Sequence, residues 1–254
     1  MVIPNDYDAL DLVGLEDSPV GVKFDFFRPK NIDHYEQGDD PKSLCELLRA
    51  SQVKDRAFYI SHDDPQSCVG KIFLGMEPMT PFAESGQIGE RLGVFDNSRN
   101  NAKLYPQIST FKEGDVNFVS FAPVKKMNFE PDVLVISTTP EKGEVIMRAA
   151  TRSTGVAYQS KFTAVMGCTW LLIYPYLSGN INFVLPTMVH GLHGREVYPD
   201  PSTILISIPY NWIPTVLGNL KNMPIELEGH KSRQAYFSEF NGIMEDLEKE
   251  MKEI

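Results

Sequence analysis

Three cysteines, Cys45, Cys68 and Cys168, are the residues in this chain best suited to bind a metal. Thiolates ligate metals, and three of them can hold zinc or an iron–sulfur cluster. Cys45 and Cys68 are 23 positions apart and Cys168 lies 100 further on, a spacing that matches no compact motif such as CxxC. A buried, space-filling role is the alternative for each. His190 and His193, in the glycine-flanked run PTMVHGLHGRE, could supply a ligand or a proton-transfer group, or simply belong to a surface loop. Lys23 sits in the middle of a strand, facing away from its apolar neighbours, where it could contact an anion or a carboxylate or face solvent. Arg148 and Arg152, four apart on one helix face, could pair with anions or form surface ion pairs. The chain has no GxSxG, no GxxxxGK[ST], no HExxH and no well-placed GxGxxG, so hydrolase and nucleotide-binding chemistries have no anchor in it.

The elements that must position these residues follow from periodicity. Val20, Val22, Phe24 and Phe26 alternate with polar or small residues, which predicts a strand over 20–27. Ser43 followed three residues later by Glu46 is a capping box, so a helix is expected from there to about Ser51, with Cys45 in its first turn. A short strand is expected over 57–61. Asp64-Pro65 then reads as the start of a helix over 65–74 ending at Gly75, with Cys68 at its fourth position. Helix N-termini favour thiolate over thiol. The segment 77–101 reads as a loop-rich excursion, and 116–122 as a strand. Further strands are expected over 132–137, 156–162 and 203–208. A helix is expected from Thr139-Pro140 to Gly155, and an apolar segment over 163–177 contains Cys168. Tyr236, Phe240, Ile243, Leu247, Met251 and Ile254 recur at spacings of three and four, which predicts an amphipathic C-terminal helix. That helix is expected to pack on its own domain or to form a dimer contact.

The two halves can be laid over each other. Pro19-Val20-Gly21-Val22 meets Pro131-Asp132-Val133-Leu134, Leu48-Arg49-Ala50 meets Met147-Arg148-Ala149, and Cys68 meets Cys168. Chance similarity between ordinary α/β units is the alternative to duplication. The fold class expected is α/β or α+β, with mixed sheets and helices. Two related halves, 1–125 and 126–225, are followed by a C-terminal helical segment, 226–254. Duplicated halves would place Cys68 and Cys168 in equivalent positions.

The 254 residues allow one large domain or two smaller ones. With 34 acidic and 24 basic residues, the net charge of −10 disfavours sequence-independent binding to nucleic acid. No apolar run is long enough to span a bilayer, and the N-terminal residues lack the basic start of a signal peptide. An odd number of widely spaced cysteines is a poor disulfide framework, so a reducing, cytoplasmic compartment is expected.

These motifs together resemble the domain of unknown function 169, an uncharacterised family common in archaea and anaerobic bacteria. The residues that carry the resemblance include Gly14-Leu15, the run Pro19 to Phe24, Cys45 with Ala50, and Cys68 with Gly70, Leu74 and Gly75. Phe129 to Val133, Gly155, Phe162, Cys168, Pro175, Gly179-Asn180 and Leu185-Pro186 continue it, over roughly residues 10 to 215. Similar members keep the three cysteines, and many carry a fourth near Thr187 or Met188, where this chain has none. The resemblance thus implies an iron–sulfur cluster of the 4Fe-4S type held by Cys45, Cys68 and Cys168. One iron would be left open to a small-molecule substrate, or to His190 or His193, or the site would be lost. A small-molecule substrate or a redox partner is the expected partner, with a homodimer through the C-terminal helix as a further expectation. Two other readings stay open: a non-metal module binding a small ligand in a cleft between the halves, and a thiol enzyme using Cys68 as nucleophile.

Overall fold

Runs of β-branched and aromatic residues at period two form the strands of a single seven-stranded sheet. The computed structural model describes residues 6–36, 41–65, 68–186 and 197–252. The strands are β1 (Val20–Asp25), β2 (Asp33–His34), β3 (Phe58–Ser61), β4 (Phe118–Pro123), β5 (Val133–Thr138), β6 (Asn182–Val184) and β7 (Ile204–Pro209). Their order across the sheet is β2-β3-β4-β1-β5-β7-β6, and every pairing except β2–β3 is antiparallel. Helices complete an α+β fold.

Strand alternation gives the sheet two apolar faces. On one, Val20, Val22, Val133, Val135, Phe121 and Leu205 pack against helix α1 (Leu44–Val53) and the segment around Trp170. On the other, Leu134, Ile136, Ile206 and Ile208 pack against α6 (Pro140–Arg152) and α8 (Ile213–Lys221). Residues of both predicted halves therefore enter one sheet and share both of its faces. Three strands lie beyond β1 and two beyond β5, and α1 and α6, the proposed equivalents, cover opposite faces. The duplication is not confirmed.

Several local expectations shift. The helix expected over 65–74 is a single turn, α2 (Gly70–Phe73), and Cys68 precedes it. The intended cap, Asp64, is engaged elsewhere: its carboxylate accepts from the Ser61 N–H at 2.7 Å and meets His34 Nε2 at 2.8 Å. The excursion over 77–101 contains three short helices, α3 (Pro81–Glu84), α4 (Gln87–Arg91) and α5 (Ser98–Ala102); Thr80 and Asn97 cap the first and third. The segment 156–162 is not a strand. It reaches β6 through side chains instead of a ladder, with Asn182 Oδ1 accepting from Ser160 Oγ at 2.6 Å and from Lys161 N at 2.9 Å.

The C-terminal helix, α9 (Arg233–Lys252), forms but buries none of its residues. Its main neighbour is the turn Glu228–His230, so the expected packing onto its own domain is absent. Phe240, Ile243, Leu247 and Met251 are 46%, 53%, 47% and 77% exposed. No helix among the described residues is long and apolar enough to cross a membrane.

Two predictions follow from this packing. Deleting residues 233–254 removes almost no buried surface, so the urea midpoint should move by less than about 0.5 kcal/mol equivalent. Lys71, by contrast, is 1% exposed, and its ammonium donates to the carbonyls of His62 and Asp64 at 2.5 Å and meets Glu77 at 3.3 Å. Lys71→Met strands those carbonyls, and equilibrium urea unfolding should show a loss of about 3 kcal/mol.

Candidate metal centre

Three separate pieces of chain bring the cysteines together on the α1 face of the sheet. Cys45 is the second residue of α1, fixed there by the predicted capping box. Ser43 Oγ accepts from the Glu46 N–H at 3.3 Å, and Glu46 Oε2 accepts from the Ser43 N–H at 2.8 Å. Leu44, Leu47 and Leu48 are buried from the same helix and set its rotation, which turns Cys45 inward.

Cys68 lies on the loop before α2. Its sulfur accepts from the backbone N–H groups of Gly70 and Leu44, so it caps the first turn of α1 from outside. Gly70 is required at this approach: a Cβ there would stand 2.7 Å from Leu44 Cδ1 and 3.3 Å from Cys68 Sγ. The buried Lys71, tied to the carbonyls of His62 and Asp64, holds the base of the same loop.

Cys168 precedes a π-helical turn, Thr169–Ile173, which runs directly into α7 (Tyr174–Ser178). The wider turn leaves its carbonyls out of register with an α-helix, and one is satisfied by a strand: Asn182 Nδ2 donates to Trp170 O at 2.7 Å. Trp170 Nε1 donates to Thr163 Oγ1 at 2.9 Å. Just before the cysteine, Met166 takes a left-handed backbone (φ 61°), and the Thr169 hydroxyl donates to its carbonyl at 2.7 Å. A non-glycine residue in that region costs about 1–2 kcal/mol, so the surrounding bonds enforce the bend that delivers Cys168.

The Cys45 thiol donates a hydrogen bond to the Cys168 sulfur, and the charge of Cys68 is felt by Cys45. The hydrogen bond to Cys168 and then burial raise the Cys45 pKa. The same bond, helped by the N–H groups of Thr169 and Cys168 itself, lowers that of Cys168. The Cys68 thiol is pushed up to about 12, chiefly by burial and then by the charge of Cys168. Tyr198 sits beside them, its ring under the Arg49 guanidinium at 5.4 Å, and its phenol pKa is raised by burial and by Cys45. All three cysteines are free thiols.

The three sulfurs are soft donors, and two of them accept backbone N–H bonds of the kind that stabilise thiolate charge. Among the described residues no three His, Cys, Asp or Glu side chains are spaced to hold one metal ion. A cluster makes a different demand, because its cysteines bind separate irons.

The other predicted residues lie elsewhere. His190, His193, Thr187 and Met188 fall outside the described residues. Lys23 borders a notch at the end of the sheet together with Asp132, Tyr176, Tyr210 and Asn211. Those four drew no functional reading in the sequence, because Asp132 reads there only as the start of a strand and the other three carry no motif. Arg148 is structural: it donates to the carbonyls of Pro224 and Ile225 at 2.6 and 2.7 Å and pairs with Glu144 at 3.0 Å.

Comparison with known proteins agrees with the resemblance. An uncharacterized protein of Methanocaldococcus jannaschii is 22% identical over 204 residues, which span 79% of this chain and 85% of that protein. No solved structure matches. The family described as uncharacterised ArCR, the domain of unknown function 169, matches residues 10–219, and the chain belongs to that family.

Proposed function

We propose that Cys45, Cys68 and Cys168 hold an iron–sulfur cluster of the 4Fe-4S type and that the protein is cytoplasmic. One observation carries this reading: three cysteines far apart in sequence meet on one face of the sheet, where backbone N–H groups point at two of the sulfurs. Soft thiolate donors suit iron–sulfur clusters, and free thiols suit a reducing compartment.

When bound with three protein thiolates, such a cluster offers electron transfer or one iron able to polarise a substrate oxygen. The chain's own contribution is positional and electrostatic. The capping box fixes Cys45, the Gly70 and Leu44 N–H groups face the Cys68 sulfur, and the π-helical turn fixes Cys168. Cys45 and Cys168 are buried in the same apolar cluster as Leu44, Trp170 and Leu171, which strengthens the charge interactions between them, while Cys68 stays partly exposed. A half-buried Cys68 whose thiol is pushed up to about 12 is a poor nucleophile at neutral pH, which weighs against the reading in which Cys68 alone does covalent chemistry. The exposed apolar stripe of α9 supports self-association through that helix as the partner contact.

Anaerobic purification followed by iron and sulfide analysis tests the reading. A brown protein with about four iron and four sulfide per chain is expected. Cys45→Ser, Cys68→Ser and Cys168→Ser should each lose most of the iron while keeping the far-ultraviolet circular dichroism of the parent. A folded, colourless, iron-free protein from the same procedure overturns it.

A further inference from the structure

A second site lies where the sheet has a gap at the start of β5. β1 pairs with β5 only through Val20, Gly21 and Val22; its continuation through Lys23, Phe24 and Asp25 stays paired with β4 but leaves the edge towards β5 open. On the other side β7 ends at Pro209 opposite Val133, and Tyr210 and Asn211 continue past it. Between these two extensions β5 has not yet begun. The result is a notch of about 380 Å³, a volume in the range of small-molecule sites.

Asp132 stands at its base and shapes it. Its backbone finishes the ladder: the Asp132 N–H donates to Val22 O, and the Tyr210 N–H donates to Asp132 O, both at 2.9 Å. Its carboxylate then replaces a strand residue, with Oδ2 accepting from the Phe24 N–H at 2.7 Å. One wall is the Tyr176 ring, braced edge-on by Phe24 and tilted against Phe111, with centroids 5.3 Å away in each case. Asn211 sits on the opposite wall, its amide N–H donating to Gly179 O at 3.2 Å.

Lys23, Asp132 and Glu130 line this notch, and Asp25 is near enough for its charge to reach Asp132. Among the described residues the Lys23 ammonium donates only to the Glu130 carbonyl, at 3.4 Å, and its charge is felt by Asp25 and Asp132 without a close ion pair. The Asp132 carboxylate feels the Lys23 charge yet makes no ion pair with it or with any other described cation. Burial raises the Asp132 pKa, and the Phe24 N–H and Lys23 only partly offset it. A simple anion would be drawn to Lys23 but repelled by Asp132, and a simple cation would meet the reverse. A molecule with both charges satisfies the two groups at once, which removes the cost of leaving each without a close ion pair.

We propose that this notch binds a small zwitterion of the α-amino acid type, its carboxylate on Lys23, its ammonium on Asp132 and its side chain against the rings of Tyr176 and Tyr210. Both rings are half-exposed, at 42% and 41%, and so have free area to give to an apolar or aromatic side chain. The site shares no residue with the thiol centre and requires no iron, so the two readings stand or fall separately.

Isothermal titration calorimetry of the full chain tests this, with L-phenylalanine as probe beside its two single-charge relatives, phenethylamine and 3-phenylpropionate. Saturable binding of L-phenylalanine is expected, with each relative weaker by about ten-fold or more, since each loses one charge-assisted contact. Lys23→Met should weaken L-phenylalanine by about ten-fold without weakening phenethylamine. Asp132→Asn keeps an acceptor for the Phe24 N–H and so preserves the fold, yet should weaken L-phenylalanine without weakening 3-phenylpropionate. Circular dichroism of both variants separates loss of binding from loss of fold. Absence of L-phenylalanine binding to folded protein at millimolar concentration overturns the proposal, as do equal affinities for the three probes or unchanged affinity in both variants.

Discussion

Three rungs between β1 and β5 hold the molecule together. Val20, Gly21 and Val22 pair with Val135, Leu134 and Val133, and the four valines have no exposed surface at all. This pairing is antiparallel and links residues more than a hundred positions apart, so it brings the early and late parts of the chain into one sheet. Fixing its register fixes which residues face each side, because a slip of one residue would turn every side chain over. Val20, Val22, Val133 and Val135 then form the floor under the cysteines, while Leu134 and Ile136 face the helices of the other layer. Gly21 belongs to the same constraint. A Cβ there would stand 3.1 Å from Pro131 Cβ and far closer to Met127 Sδ, so glycine lets the chain before β5 lie flat against β1. The placement of Asp132 depends on that approach.

The thiol centre shows how polar groups are kept inside such a layer. Burial opposes charge on every sulfur, and the fold answers with fixed donors instead of water. The Leu44 N–H at the start of α1 is one of the amides a helix leaves without an internal partner, and here it faces the Cys68 sulfur. Lys71 is the extreme case: a buried ammonium that the loop carbonyls of His62 and Asp64 surround. These bonds act on position more than on net stability, since each exchanges one partner in water for one in the protein.

Much of this arrangement was legible in the sequence wherever a local rule governs. The capping box at Ser43 and Glu46 named the start of α1 and the place of Cys45 in its first turn. The Thr139-Pro140 start of α6 and most strands followed from period two or from cap chemistry. The rules failed where a tertiary partner competed with a local one. Asp64 has the residue type of a helix cap but is claimed by Ser61 and His34, so Cys68 precedes its helix. Residues 156–162 have strand-like composition, yet Asn182 occupies the polar groups of Ser160 and Lys161. The meeting of the three thiols could not be read from spacing, because only the sheet pairing makes distant positions neighbours. The notch was invisible for a related reason. A gap at the end of a strand depends on where its neighbours stop, and Lys23 stands out in the sequence only as a mid-strand charge on the face opposite its apolar neighbours.

One short segment connects the two sites. Cys168 immediately precedes the π-helical turn, and Tyr176 lies in α7, which continues that turn without a break. Asn182 pins the turn at Trp170, while Phe24 and Phe111 pin the Tyr176 ring. Such a segment is short and held at both ends, so a displacement at Cys168 has little room to relax before it reaches Tyr176. π-helical turns recur at functional positions because their extra residue is inserted at a local cost that the surrounding packing must offset. Here the offset comes from Asn182, whose side chain accepts from Ser160 and Lys161 and donates to Lys161 O and Trp170 O. A fully satisfied buried amide of this kind specifies one arrangement of its neighbours. The same residue that ends one predicted strand thus fixes the geometry of the turn that supplies the third thiol and one wall of the notch.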